Sequence, residues 1–214
     1  MVTLQLRQLS MLPGQRIWIQ ELSWGDFENI LAELGEKRSA RILFFHGVLE
    51  IMTPLPEHEV DKEILGDMVK MILEDQGRDF ECFGSTTFKK KEKGIGLEPD
   101  QCFYIQNHST MRCKRRVNLT EDPPPDLALE IDVTSATQLD IYAGLGVPEV
   151  WIYERGKLSI YCLQDTQYQR VAMSPTFPNL PIIDLVADVM AQCQAIGRSP
   201  ALRAFRKTLQ TFLC

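Results

Sequence analysis

The run Leu127-Ala128-Leu129-Glu130-Ile131-Asp132-Val133 constrains this chain more than any other segment, because it sets a carboxylate in the middle of an apolar strand. A strand apolar on both faces is buried on both sides, as in the central strand of a layered α/β sheet. A carboxylate there is costly unless it is paired, protonated or bound to a metal. Glu130 therefore needs a partner, and the rest of the sequence can be read for what supplies it.

The flanking pattern gives the strand its surroundings. Ser23 can cap a helix over residues 24–36, in which Phe27, Ile30, Leu31 and Leu34 share one face. Apolar runs at 41–45 and 48–52 are separated by His46-Gly47, a two-residue hairpin turn, and Pro54 and Pro56 end the second run. Residues 57–76 carry Ile64, Leu65, Met68, Val69, Ile72 and Leu73 at helical spacing, with Gly77 as the stop. Strands are predicted at 80–88, 100–105 and 127–133, with an exposed polar loop at 106–125. Ser135 can cap a helix to about Leu145, followed by a strand at 149–153, which makes a strand, helix, strand crossover. An antiparallel edge is predicted from 158–163 and 168–173, and terminal helices at 183–193 and 201–212. A chain of 214 residues suits one elaborated domain, with its core at about 24–188 and a helical extension at 183–214.

Composition removes several classes. No apolar run approaches the roughly 20 residues that span a bilayer. Residues 1–10 alternate polar and apolar side chains and lack the continuous apolar segment of a signal peptide, so a cytoplasmic protein is expected. The six cysteines form no CxxC pair, which argues against zinc. A net charge of −6 requires any nucleic-acid contact to use a local basic surface.

Asp100, in Glu98-Pro99-Asp100, is the second strand-associated acid. If its strand neighbours that of Glu130, the two carboxylates converge on one divalent ion, and hard oxygen donors suit Mg²⁺ or Mn²⁺. The plainer readings are a turn aspartate bonded to backbone amides, and for Glu130 a buried ion pair with Lys89 or Arg41. Asp132 points to the same face as Glu130 by the two-residue period, or is simply an acid at a strand end. Lys89-Lys90-Lys91-Glu92-Lys93, with Arg112, Lys114, Arg115 and Arg116, is either a basic rim for phosphates or a set of solvated surface charges. Tyr142, Trp151 and Tyr153 read as packing residues rather than stacking platforms.

Gly84-Ser85-Thr86-Thr87-Phe88, Gly96-Leu97-Glu98-Pro99-Asp100, Pro125-Asp126-Leu127-Ala128-Leu129-Glu130, and Tyr142 followed by Gly146-Val147-Pro148-Glu149-Val150-Trp151 occur in that order. Together they resemble the Uma-two family of restriction endonucleases within the PD-(D/E)xK nuclease superfamily, over about residues 24–188. The resemblance implies a restriction-endonuclease-like α/β fold: a mixed central sheet flanked by helices, preceded by an N-terminal helix and a hairpin. It implies Asp100 and Glu130 as metal ligands, a further acid among Glu50, Glu57 and Glu59, and a role for His58 at the start of a helix.

The superfamily pattern calls for lysine two residues after the second acid, and this chain has Asp132 there. Lys89, Lys90 and Lys91, on or beyond a strand expected to neighbour that of Asp100, are the nearest replacements, with Lys62 behind them. The expected function is a divalent-metal-dependent endonuclease hydrolysing DNA phosphodiester bonds, with Asp100, Glu130, Asp132, Lys89, Lys91, His58 and Glu59 as candidate catalytic residues. The alternative is a degenerate nuclease fold that binds nucleic acid or a protein, and a third reading is a purely structural protein. Family analogy also suggests a homodimer.

Overall fold

Two β-sheets meet where Glu98-Pro99-Asp100 crosses from one to the other. The computed structural model describes residues 8–35, 38, 40–131 and 137–213. The first sheet is antiparallel and contains β1 (Arg16–Ile19), β2 (Arg41–Phe45), β3 (Val48–Met52), β5 (Phe88–Lys90) and β6 (Ile95–Leu97), in the order β1-β3-β2-β6-β5. The second contains β4 (Glu81–Cys82), β7 (Gln101–Tyr104), β8 (Leu127–Ile131), β9 (Glu149–Glu154), β10 (Lys157–Gln164) and β11 (Gln167–Val171), in the order β11-β10-β9-β8-β7-β4. It is mixed: β8 and β9 are parallel, and the helix between them is the crossover such a pair requires.

The helices are α1 (Trp24–Leu34), α2 (Pro56–Asp75), α3 (His108–Met111), α4 (Thr137–Leu145), α5 (Ile182–Ile196) and α6 (Arg198–Leu213). Leu127, Leu129 and Ile131 of β8 pack with α2, α5 and α6 on one face of the mixed sheet. Ala128 faces the other way, where Ile141, Tyr142 and Leu145 of α4 meet Phe88, Ile95 and Leu97 of the first sheet. Helix α1 covers the outer face of that sheet through Phe27, which stacks on Phe44 with ring centroids 4.4 Å apart.

Local chemistry explains most of these elements. Ser23 closes a capping box at α1: its Oγ accepts from Asp26 N at 3.2 Å, and Asp26 Oδ2 accepts from Ser23 N at 2.9 Å. His46 and Gly47, with φ of 46° and 84°, make the turn with both residues left-handed that joins β2 to β3.

Other expectations change. Residues 80–88 are not one strand: at Gly84, with φ of 56°, the chain turns, so β4 pairs with β7 while β5 pairs with β6. Lys89 and Lys90 therefore belong to the first sheet, and Lys91 to a 3₁₀ turn at Lys91–Lys93, rather than lying beside the strand of Asp100. The loop at 106–125 is anchored, with Met111 fully buried and Tyr104 Oη donating to Pro123 O at 3.1 Å. Strand β1 and the three-residue β6 have no counterpart in the predicted elements.

Candidate functional site

The passage from β6 to β7 buries two acids in succession. Glu98 pairs with Arg38 and accepts from Thr87 Oγ1 at 2.5 Å and Ile42 N at 3.2 Å. Asp100, 1% exposed, is held from three elements: its Oδ2 accepts from Ile131 N of β8 at 2.6 Å and lies 3.1 Å from His58 Nε2 of α2, and its Oδ1 pairs with Arg41 Nη1 of β2. Such burial is tolerated because a backbone amide, a histidine and a guanidinium all lie against the carboxylate.

Glu130 is the neighbour that the sequence required. Gln101 pairs with Leu129 across the antiparallel β7–β8 ladder, so extending that register by one residue sets Asp100 opposite Glu130. The Asp100 side chain, just ahead of β7, is held by Arg41, His58 and Ile131 N, and alternation from Ala128 puts that of Glu130 on the face beneath α4. There Tyr142 Oη donates to Glu130 Oε1. Burial first, then the charge of Glu130 and its hydrogen bond, push the Tyr142 hydroxyl well above its ordinary pKa, so it stays a donor.

Beyond Asp100 the polar network continues outward. Arg41 Nη2 lies 3.3 Å from Glu59 Oε1, His58 Nδ1 lies 3.7 Å from the same oxygen, and Lys62 pairs with Glu59 Oε2. Burial opposes ionisation of Glu59, but the hydrogen bond and charge of Lys62, with the charges of Arg41 and His58, outweigh it and hold this carboxyl below its ordinary range. This network opens into a cleft of about 760 Å³ whose walls carry Arg38, Arg41, Lys62, Lys89, Arg115 and Arg116 against the acids Glu59 and Glu98. A chain with a net charge of −6 thus presents a locally basic concavity, one wall of which is Arg41, the ion-pair partner of Asp100.

The sequence-predicted residues divide accordingly. Asp100, His58 and Glu59 come together, the strand register sets Glu130 opposite Asp100, and Asp132 lies outside the described residues. Lys89 reaches the cleft wall but is 43% exposed, with its Nζ 3.6 Å from Glu28 Oε1 of α1. Lys91 is exposed on its turn. Of the further acids, Glu50 is engaged on the first sheet with Arg16 and Trp18 at 2.8 and 2.9 Å, and Glu57 is exposed. The basic loop contributes Arg115 and Arg116 to the cleft, while Lys114 turns to Asp122. Arg41, a candidate partner for Glu130 in the sequence, pairs with Asp100. Glu98 and the hydrogen bond of Tyr142 were not anticipated, although a tyrosine on the helix after the acid-bearing strand was a usable signal.

Among the described residues no group of three or more His, Cys, Asp or Glu is arranged to hold a metal ion. Asp100 and Glu130, opposite each other in the extended β7–β8 register, are hard oxygen donors of the kind that suits a divalent ion of the Mg²⁺ class.

A family model described as "Putative restriction endonuclease" matches residues 24–190. Among solved structures, a crystal structure titled as a putative nuclease belonging to DUF820 from Anabaena variabilis is similar at 16% identity and a TM-score of 0.49, covering 68% of this chain and 89% of that one. Curated proteins give no match. Among the described residues no helix is long and apolar enough to cross a membrane.

Proposed function

Because the chain belongs to the Uma2 family, a restriction-endonuclease-like nuclease group, we propose that it is a divalent-metal-dependent endonuclease that hydrolyses DNA phosphodiester bonds at the floor of the basic cleft. The observation that carries this reading is a pair of buried carboxylates, Asp100 and Glu130, that the extended β7–β8 register sets opposite each other, beside a cleft rich in arginine and lysine lined by Arg41, the partner of Asp100. Asp100 and Glu130 would hold Mg²⁺ or Mn²⁺. A bound divalent ion supplies a Lewis acid for a phosphate oxygen and lowers the pKa of a coordinated water.

The protein's own groups do the rest. Tyr142 fixes the orientation of Glu130, and Ile131 N fixes that of Asp100, so neither carboxylate has to be reorganised during reaction. Arg115, Arg116 and Lys62 provide positive charge for flanking phosphates. His58, 3.1 Å from Asp100, would serve as a proton carrier or a further ligand.

The test is calorimetric titration of Mn²⁺ into wild type, Asp100→Asn and Glu130→Gln, followed by cleavage of plasmid and single-stranded DNA in the same buffer. Binding and cutting in wild type, both lost in the variants, is the expected result. A folded wild-type protein that neither binds Mn²⁺ nor cuts DNA would refute the proposal, and salt-sensitive DNA binding without cutting would replace it with the binding-module reading.

A further inference from the structure

Arg41 is the point at which a buried acid and an open cleft share one cation. Its Nη1 pairs with Asp100. Its Nη2 lies 3.3 Å from Glu59 Oε1, and its side chain, 11% exposed, lines the cleft. Other cleft cations have partners away from Asp100: Arg38 has Glu98, Lys62 has Glu59, and Lys89 has Glu28.

A guanidinium stays charged at every accessible pH, so protonation cannot remove it from Asp100. A second cation can. Two positive groups in contact with one carboxylate repel each other in a poorly hydrated site, so a divalent ion on Asp100 weakens the hold of the carboxylate on the guanidinium and favours its release. The displaced group has somewhere to go: Glu59, whose side chain is 41% exposed, offers an acceptor on the cleft side, already within 3.3 Å of Nη2.

Resting on the nuclease reading above, we propose that Arg41 is a cation-exchange residue, neutralising Asp100 when the site is metal-free and turning into the cleft to contact a DNA phosphate when a divalent ion takes Asp100 and Glu130. Metal loading and DNA binding are then linked through one side chain. A phosphate that captures Arg41 frees Asp100 for the metal, and the metal frees Arg41 for phosphate. By reciprocity each ligand strengthens the other by the same factor. The arrangement also protects the fold, because Asp100 is never left buried without a positive partner.

The experiment compares wild type, Arg41→Gln and Arg41→Lys in two titrations. In the first, Mn²⁺ is titrated calorimetrically without DNA. In the second, fluorescence anisotropy follows a labelled DNA duplex with and without Ca²⁺, a cation used to occupy the site without supporting cutting. Arg41→Gln is expected to bind Mn²⁺ about tenfold more tightly than wild type, because nothing has to be displaced. Ca²⁺ is expected to strengthen duplex binding about tenfold in wild type and to have no effect in Arg41→Gln.

Equal or weaker Mn²⁺ binding by a folded Arg41→Gln would overturn the exchange role, even in a wild type that binds Mn²⁺ and cuts DNA. Absence of Mn²⁺ binding from both proteins would overturn the nuclease reading and this inference together. Arg41→Lys keeps a cation on the strand but loses the fork that reaches both acids. Should Arg41→Gln not fold, tighter Mn²⁺ binding by Arg41→Lys supports the proposal and unchanged binding overturns it.

Discussion

Replacing Tyr142 with phenylalanine isolates one hydrogen bond at the centre of the site. Tyr142 is 1% exposed and Glu130 4%, and the lost group is the hydroxyl that donates to Glu130 Oε1. Phenylalanine leaves the ring packing among Ile141, Leu145 and Ala128 in place, so the change removes a donor to a buried carboxylate and little else. A hydrogen bond to a charged group contributes about 1.5–3 kcal/mol. For a chain of this length each kcal/mol moves Tm by about 2–4 °C, so a loss of about 2 kcal/mol is a drop of about 4–8 °C. The assay is scanning calorimetry in EDTA and again in saturating Mn²⁺. If Glu130 is a metal ligand, the ion takes over part of the role of the donor and the gap between Tyr142→Phe and wild type narrows in Mn²⁺. A drop below about 0.5 kcal/mol in EDTA would refute the dependence of Glu130 on this hydroxyl. A gap of equal size in both buffers would refute ligation by Glu130.

Three further outcomes follow from the same structure. Burial raises the pKa of Tyr104, Tyr142 and Tyr168, and that of Cys162 to about 11. These groups keep their proton more tightly when folded, so their contribution is complete below the unfolded pKa and is lost as pH rises from there through the folded pKa; unfolding free energies from urea titrations should fall above about pH 10, by about 1.4 kcal/mol per pH unit for each tyrosine, and a flat profile to pH 11 would contradict this. Gly96→Ala would set a Cβ 2.5 Å from Phe27 Cζ, within the ring pair Phe27–Phe44, and should cost about 1–3 kcal/mol, read as a lower urea midpoint; an unchanged midpoint would show that α1 yields freely. Arg115→Ala with Arg116→Ala should lower the slope of log K for duplex binding against log salt by about 2, whereas an unchanged slope would remove both from the phosphate contacts.

The legible parts of this fold were those with local causes. The hairpin at His46-Gly47 follows from two residues that accept positive φ, and α2 from apolar spacing closed by Gly77, with φ of 62°. Strand β8 was legible because its apolar run has no other stable setting than a sheet interior. What escaped depends on contacts distant in sequence. Strand β6 has three residues with a glycine at its centre, and that glycine is explained by Phe27 lying against it, a fact no window around residue 96 contains. The misplacement of Lys89 has the same origin: β5 pairs with β6 because the chain changes sheets at Glu98-Pro99-Asp100, and alternation within a strand says nothing about which sheet it joins. At the site, Asp100 and Glu130 were legible as acids in costly places. Arg41 was legible as a cation for a buried acid, but as a partner for Glu130 and not Asp100, because its partner is chosen by the docking of two sheets.

That docking gives Asp100 two duties with different signatures. It joins β2, α2 and β8 through Arg41, His58 and Ile131 N, so removing its side chain should weaken the fold whether or not the protein binds metal. Loss of cutting in Asp100→Ala would therefore not identify a ligand. Asp100→Asn separates the duties better. Its amide oxygen can still accept from Ile131 N, while the uncharged group is a poor ligand for a hard dication and a poor partner for a guanidinium. Arg41→Gln changes the same pair from the other side, leaving the carboxylate and removing the competitor. A structural ion pair predicts that both variants lose stability and that Mn²⁺ affects neither. An exchange site predicts opposite responses: Mn²⁺ should stabilise Arg41→Gln more than wild type and leave Asp100→Asn unmoved. The size of the metal-induced shift in Tm relative to wild type, larger in one variant and absent in the other, therefore distinguishes a buried salt bridge from a loading site, even though the contacts around Asp100 are the same in both readings.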